Sequence, residues 1–147
     1  MKILSSTQKN KIINKLNNLY GITKLPYLLL QFGKEKLRLY SGNLSKQELI
    51  ILDKNLRIET IGLYFANQLE DIRLTLDGSQ LLKNQINKNI LNIDDKRADE
   101  WLKGNDLFIE TGQGFKILKN NNDFLGSGKS TGSKIKNFVP KQRRIKS

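Results

Sequence analysis

Ile72-Arg73-Leu74-Thr75-Leu76-Asp77-Gly78-Ser79-Gln80-Leu81 is the stretch on which the architecture turns. Ile72, Leu74 and Leu76 alternate with Arg73 and Thr75, the period-two pattern of a strand with one buried and one outward face. The alternation is short. Asp77-Gly78-Ser79 then breaks it and is expected to cap a single helical turn through Leu81. A strand this brief, halted by a one-turn helix, suits a small closed β-structure better than a long open sheet or a helical bundle.

The same texture recurs on both sides. Ile61, Leu63 and Phe65 alternate upstream. Downstream, a strand is expected around Ile90 to Ile93, followed by a helix from Asp94 to Lys103 with Ala98, Trp101 and Leu102 inward and Gly104 as its stop. Strands at Leu107 to Glu110 and Phe115 to Leu118 are expected to be joined through Thr111-Gly112-Gln113-Gly114, and a last strand to lie within Ser133 to Pro140. The first third reads differently. Ser5-Ser6-Thr7-Gln8 offers a helix cap, with Ile12, Leu16 and Leu19 at helical spacing up to Gly21. Tyr27 to Phe32 and Glu35 to Tyr40 read as a hairpin about Gly33-Lys34, with Leu37 and Leu39 alternating against Lys36 and Arg38. Ser45-Lys46-Gln47-Glu48 is a capping box opening a second helix through Leu49 and Leu52. The expected fold class is α+β: an αββα unit over residues 1–56, a β pseudobarrel over 57–140, and a basic, flexible tail over 141–147.

Composition narrows the chemistry. The 147 residues hold no cysteine and no histidine, which removes the thiolate nucleophile, the usual general base and the usual metal ligands together. The expectation is a non-catalytic protein without metal or cofactor. No apolar run approaches the ~18 residues of a membrane helix, and Met1-Lys2-Ile3-Leu4 has no apolar stretch behind it to form a leader, so a cytoplasmic location away from membranes is expected. The net charge of +12 points to phosphate polymers. It is unevenly placed. From Phe124 onward there are seven Lys or Arg and no acid.

In order and spacing, Gly62-Leu63-Tyr64-Phe65, the run from Arg73 to Leu82, Trp101-Leu102-Lys103-Gly104-Asn105-Asp106-Leu107, and Gly126-Ser127-Gly128-Lys129 with Lys136-Asn137-Phe138-Val139-Pro140-Lys141 resemble one family. It is the PUA-like RNA-binding domain attached to Fmu/Sun-type RNA cytosine-5 methyltransferases, which also occurs in short stand-alone archaeal proteins linked to ribosome biogenesis. The resemblance spans about Arg57 to Arg144. The preceding αββα unit resembles, in architecture, the small domain that precedes the PUA domain in Nip-type ribosome-biogenesis proteins. The resemblance implies a PUA-like pseudobarrel that binds structured RNA, rRNA or tRNA. The chain departs from the longer relatives in having no methyl-donor-binding domain and no cysteine to attack a cytosine ring, so it is not itself such a methyltransferase.

Gly126-Ser127-Gly128-Lys129-Ser130-Thr131 mimics a nucleotide-binding P-loop but fails as one. The position that needs the first glycine is Asp123, and Gly132 and Pro140 bracket a segment too interrupted for the required helix. The remaining reading is a glycine-rich turn whose N–H groups and Lys129 approach a phosphate, against the plain alternative of a hairpin turn with solvated lysines. Lys134 and Lys136 flank inward Ile135 as a basic stripe at strand spacing. Arg73 and Thr75 point outward, and Lys83 follows the Asp77-Gly78-Ser79 turn; read singly, each would be an ordinary solvated residue. The resemblance places this turn and the C-terminal stripe near one RNA-facing surface. The expected RNA-binding residues are Arg73, Thr75, Gly78, Lys83, Gly128, Lys129, Lys134, Lys136, Asn137, Lys141, Arg143 and Arg144. Tyr64, Phe65, Trp101, Phe108 and Phe115 sit at core-like spacings and are assigned to packing, which favours shape and phosphate recognition over base stacking. Asp94, Asp95, Asp99 and Glu100 are assigned to the dipole of the helix they open.

The function these readings favour is an accessory RNA-binding protein in ribosome biogenesis or RNA modification, with an RNA methyltransferase or a pre-ribosomal particle as a further partner. The alternative is an adaptor that docks such an enzyme or the ribosome through the N-terminal unit.

Overall fold

The computed structural model describes residues 1–25, 27–55 and 61–146. Local chemistry sets the first elements. The Ser5 hydroxyl accepts the Gln8 N–H at 3.2 Å while the Gln8 side chain accepts the Ser5 N–H at 2.9 Å, which opens helix α1 (Ser6–Tyr20). Gly21 ends it in the left-handed region at φ 85°. Strand β1 (Lys2–Ile3) lies beside β2 (Leu28–Phe32), which forms the hairpin with β3 (Lys36–Tyr40), Leu28 facing Tyr40 and Phe32 facing Lys36. The Ser45 hydroxyl accepts the Glu48 N–H at the start of α2 (Lys46–Asn55).

Strand β4 (Leu63–Asn67) pairs with β3, and β5 (Arg73–Leu74) with β4, so that β1 to β5 form one antiparallel sheet in sequence order. The expected division between residues 56 and 57 lies outside the described residues, and the sheet runs across it. The second sheet orders β6 (Ile90–Asn92), β7 (Gly114–Asn120), β8 (Asp123–Ser130) and β9 (Ile135–Lys136), with β6 parallel to β7 and the others antiparallel. The parallel pair needs a crossover, and α4 (Asp95–Leu102) is part of it. Asp94, read from sequence as the first helical residue, instead caps α4 by accepting the Arg97 N–H at 2.9 Å. One core cluster joins α1 to the first sheet and takes in Ile117 and Phe124 of the second; the other gathers around Trp101, whose indole N–H donates to the Leu125 carbonyl at 2.8 Å.

The structure corrects four further expectations. The strand at Arg73 stops at Leu74, and helix α3 (Leu76–Leu81) is capped by Thr75, not by the Asp77-Gly78-Ser79 turn, because the Thr75 hydroxyl accepts the Gly78 N–H at 2.9 Å. Residues 107–110 contribute only a bridge from Leu107 to Ile135, since β9 offers no longer ladder, and Phe108 beyond it is 79% exposed. Gly126-Ser127-Gly128 is not a turn but the interior of β8, with Gly128 opposite Lys116 and Ser127 opposite Ile117. Finally, the segment after Pro140 does not hang free. A short 3-10 turn covers Lys141–Arg143, Arg143 pairs with Asp77 at 2.6 Å, Arg144 Nε donates to the Val139 carbonyl at 2.9 Å, and the Ile145 N–H reaches the Leu102 carbonyl.

Two buried hydroxyls tie β8 to β5 and to α3. Ser127 Oγ accepts the Leu74 N–H at 3.0 Å, and Ser79 Oγ accepts the Gly126 N–H at 2.9 Å while donating to the Leu76 carbonyl. Gly126 sits at φ 79°, and a Cβ there would lie 3.0 Å from the Leu76 nitrogen, so only glycine suits this approach of β8 to α3.

Candidate nucleic-acid interface

The β3–β4–β5 pairing carries the outward residues of three segments to one place. Lys36 and Arg38 leave β3 on the side away from buried Leu37 and Leu39, as the hairpin alternation requires. Tyr64 leaves β4 beside them, and Arg73 leaves β5 opposite buried Leu74. The stretch Phe138 to Gln142 comes back past β8 and closes the far side. Between them is a cleft of about 380 Å³, lined also by Thr75, Leu76, Leu125 and Ser127.

Its charges are held by rings. The Arg73 guanidinium lies 4.1 Å from the Phe138 centroid, Lys36 and Arg38 lie 5.6 and 5.7 Å from the Tyr64 ring, and Arg38 also faces Phe32 at 5.5 Å. Lys136 stands 5.5 Å from Phe138, which in turn leans on Phe115 at 6.2 Å, with Lys129 over Phe115 at 5.8 Å. Burial draws the Arg73 guanidinium below its ordinary range, opposed by Tyr64 and Glu35, but arginine keeps its proton at any physiological pH. Two carboxylates adjoin the cluster. Glu35 lines the cleft, and Glu70 is hydrogen-bonded to Lys129, a contact that holds the Glu70 carboxyl below the usual carboxylate range. The result is a recess with an aromatic and aliphatic floor and a cationic rim, a surface built to take an anion that also presents a flat or apolar part. Among the described residues no group of three or more acids stands where it could hold a metal.

Of the residues expected from sequence, the structure brings Arg73, Lys129 and Lys136 together about the Phe115–Phe138 pair. Thr75 is at the cleft, but its hydroxyl is spent on the Gly78 N–H and the Tyr64 carbonyl. Gly78 and Gly128 are buried: a Cβ at Gly78 would meet the Phe65 carbonyl, and one at Gly128 would meet Ile135 and Trp101, so neither backbone can meet a phosphate and both are corrected to packing positions. Asn137 is likewise structural, donating to the Trp101 and Asn105 carbonyls and accepting the Val139 N–H. Lys134 pairs with Asp106 at 3.7 Å. Arg143 and Arg144 are tied as described above. Lys83 and Lys141 are exposed and do not line the cleft.

Four contributors escape the sequence reading. It sees Lys36 and Arg38 only as the outer face of a hairpin, gives Tyr64 to the core, and does not single out Phe138. The alternation of Lys36 and Arg38 with leucines was the available signal; their nearness to Arg73 follows only from the strand order.

Residues 88–145 match the model of the methyltransferase RsmF PUA domain. No curated protein matches the chain. Among solved structures, the chain is similar to a conserved PUA domain protein from Thermoplasma acidophilum, at 17% identity and a TM-score of 0.62 over 92% of this chain and 91% of that one. It is also similar to a PUA domain from Aeropyrum pernix K1 solved as a tartrate complex, at 15% identity and a TM-score of 0.56 over 95% and 85%.

Proposed function

We propose that this chain, which carries a PUA-like domain over residues 88–145 and a PUA-type fold along most of its length, is a non-catalytic protein that binds structured rRNA or tRNA as an accessory factor in ribosome biogenesis or RNA modification. The observation that carries the reading is the cleft rim. Lys36, Arg38 and Arg73 line the cleft and Lys136 stands beside it over Phe138, so that cations from three parts of the chain gather there, each against an aromatic ring. None of the four has a carboxylate at ion-pair distance among the described residues. Cations already fixed by rings lose less ordering entropy on meeting a phosphate than mobile ones do. Cations in a folded hollow, together with few exposed rings, suit the shape and backbone of a folded RNA more than a splayed single strand.

The test is a titration of a labelled tRNA or rRNA hairpin with Arg73→Gln/Lys136→Gln. Losing two phosphate contacts should weaken binding about tenfold at low salt and shrink the salt slope by roughly 1.5. A folded double variant that binds like the parent would sink the reading. A second reading, docking of a protein partner by the N-terminal unit, has one observation in its favour: Ile50 and Ile51 on α2 are 40% and 59% exposed. Retained RNA affinity in the cleft variant, with loss of partner binding in an Ile50→Ser/Ile51→Ser variant, would favour it.

A further inference from the structure

We propose that the cleft receives a single unpaired nucleotide turned out of the folded RNA, its base on the floor and its phosphate on the rim. This rests on the RNA-binding reading above and goes beyond it in naming what enters the recess. Shape is the first reason. The backbone of a duplex is convex, so a helix laid on this surface can touch Lys36, Arg73 and Lys136 but cannot fill the hollow behind them. At about 380 Å³ the hollow falls within the range of sites that enclose a small molecule. Only a nucleotide out of its stack presents a body of that kind while still belonging to a folded RNA.

The lining is the second reason. Tyr64, Phe138, Leu76 and Val139 all line the cleft, whereas a site for phosphate alone would need no such apolar lining. Arg38 is the third. It is held between the Phe32 and Tyr64 rings, and among the described residues Nη1 is the one donor engaged, by the Gly62 carbonyl at 3.0 Å. Nε is buried and has no acceptor among the described residues. An arginine fixed this firmly with so few partners is poised for an acceptor that arrives with the ligand. Because Arg38 and Lys36 come from the hairpin and Phe138 from the C-terminal stretch, the N-terminal part of the chain becomes half of the site.

The experiment compares two RNA hairpins of equal length, one fully paired and one with a single-nucleotide bulge, binding to the full chain. Wild type should favour the bulged RNA by about tenfold, the scale of one base stacked on protein rings. Lys36→Gln/Arg38→Gln should erase the preference. So should Gln142→Trp, which fills the cleft from an exposed rim position without removing a cation. Equal binding of both RNAs by wild type would overturn the nucleotide pocket and leave the RNA-binding reading standing. A preference that survives both variants would overturn it too, by placing the nucleotide elsewhere. Binding of neither RNA would remove the RNA-binding reading itself.

Discussion

Gly128 has no room for even a methyl group: a Cβ would lie 2.4 Å from Ile135 Cγ2 and 2.6 Å from Trp101 Cη2, and both of those side chains are fully buried. Gly128→Ala should therefore lower stability in chemical denaturation by about 1–3 kcal/mol, the scale of overpacking a closed core. Gly112→Ala, whose nearest neighbour would be the flexible end of Lys116 at 3.6 Å, should stay within about 0.5 kcal/mol of the parent. Ser79→Ala should cost about 1–3 kcal/mol by stranding the buried Gly126 N–H, although the hydroxyl looks dispensable in the sequence. Glu70 works in the other direction. It is exposed, and its pairing with Lys129 competes with any phosphate for that cation. Because the pair depresses the Glu70 pKa, the contact is present above the ordinary carboxylate range and is lost as pH falls through the lowered value. Glu70→Gln mimics the acid form at neutral pH and should raise RNA affinity a few-fold in a binding titration; a drop would show that Glu70 orders Lys129 for binding.

At the scale of elements, the segment after Pro140 gives the sharpest test. Truncation there removes the Arg143–Asp77 pair and the contacts of Arg144 with Val139 and of Ile145 with Leu102, which together amount to roughly 1–3 kcal/mol. The melting temperature should fall by about 2–4 °C for each of those kcal/mol; a truncated chain that melts with the parent would mean the segment is not held in solution. Such docking was not legible in Lys141 to Ser147, where charge density reads as solvated chain. Elements closed by contacts near in sequence were legible: the Ser5–Gln8 box of α1, the β2–β3 alternation and the existence of α4, although the sequence reads Asp94 as its first residue and the structure makes it the cap. Elements decided by distant contacts were not. Thr75 and Ser79 are both cap-competent residues, and the choice between them falls to Thr75 because its hydroxyl also reaches Tyr64 while that of Ser79 is claimed by β8. The glycines at 126 and 128 imitate a turn because nothing local reveals that α3 and Trp101 press on them. The candidate site divides in the same way, with the C-terminal cations visible as charge and the hairpin cations visible only once β3, β4 and β5 are set side by side.

For the molecule as a whole, the structure changes how much of the +12 charge can act on one RNA. The basic C-terminal quarter gives the impression of a broad electrostatic clamp, yet Lys129, Lys134 and Arg143 are each engaged by an acid. Three cations lining the cleft, Lys36, Arg38 and Arg73, and Lys136 beside it have no such partner among the described residues. Each phosphate neutralised releases condensed counterions, so the logarithm of affinity should fall with the logarithm of salt at a slope of roughly −3 to −3.5 for four contacts. Between 50 and 200 mM monovalent salt that is a loss of roughly 50- to 150-fold. Were the paired lysines and the C-terminal segment to join in, seven contacts would steepen the loss by more than a further factor of ten, roughly. The slope therefore counts the working cations without any substitution, and its change in variants identifies them. Lys36→Gln should flatten it by about one contact, whereas Lys134→Gln should leave it in place because Asp106 already neutralises that charge. If Lys134→Gln flattened the slope and Lys36→Gln did not, the RNA would lie on the C-terminal stripe, and the cleft would lose its claim to be the binding surface.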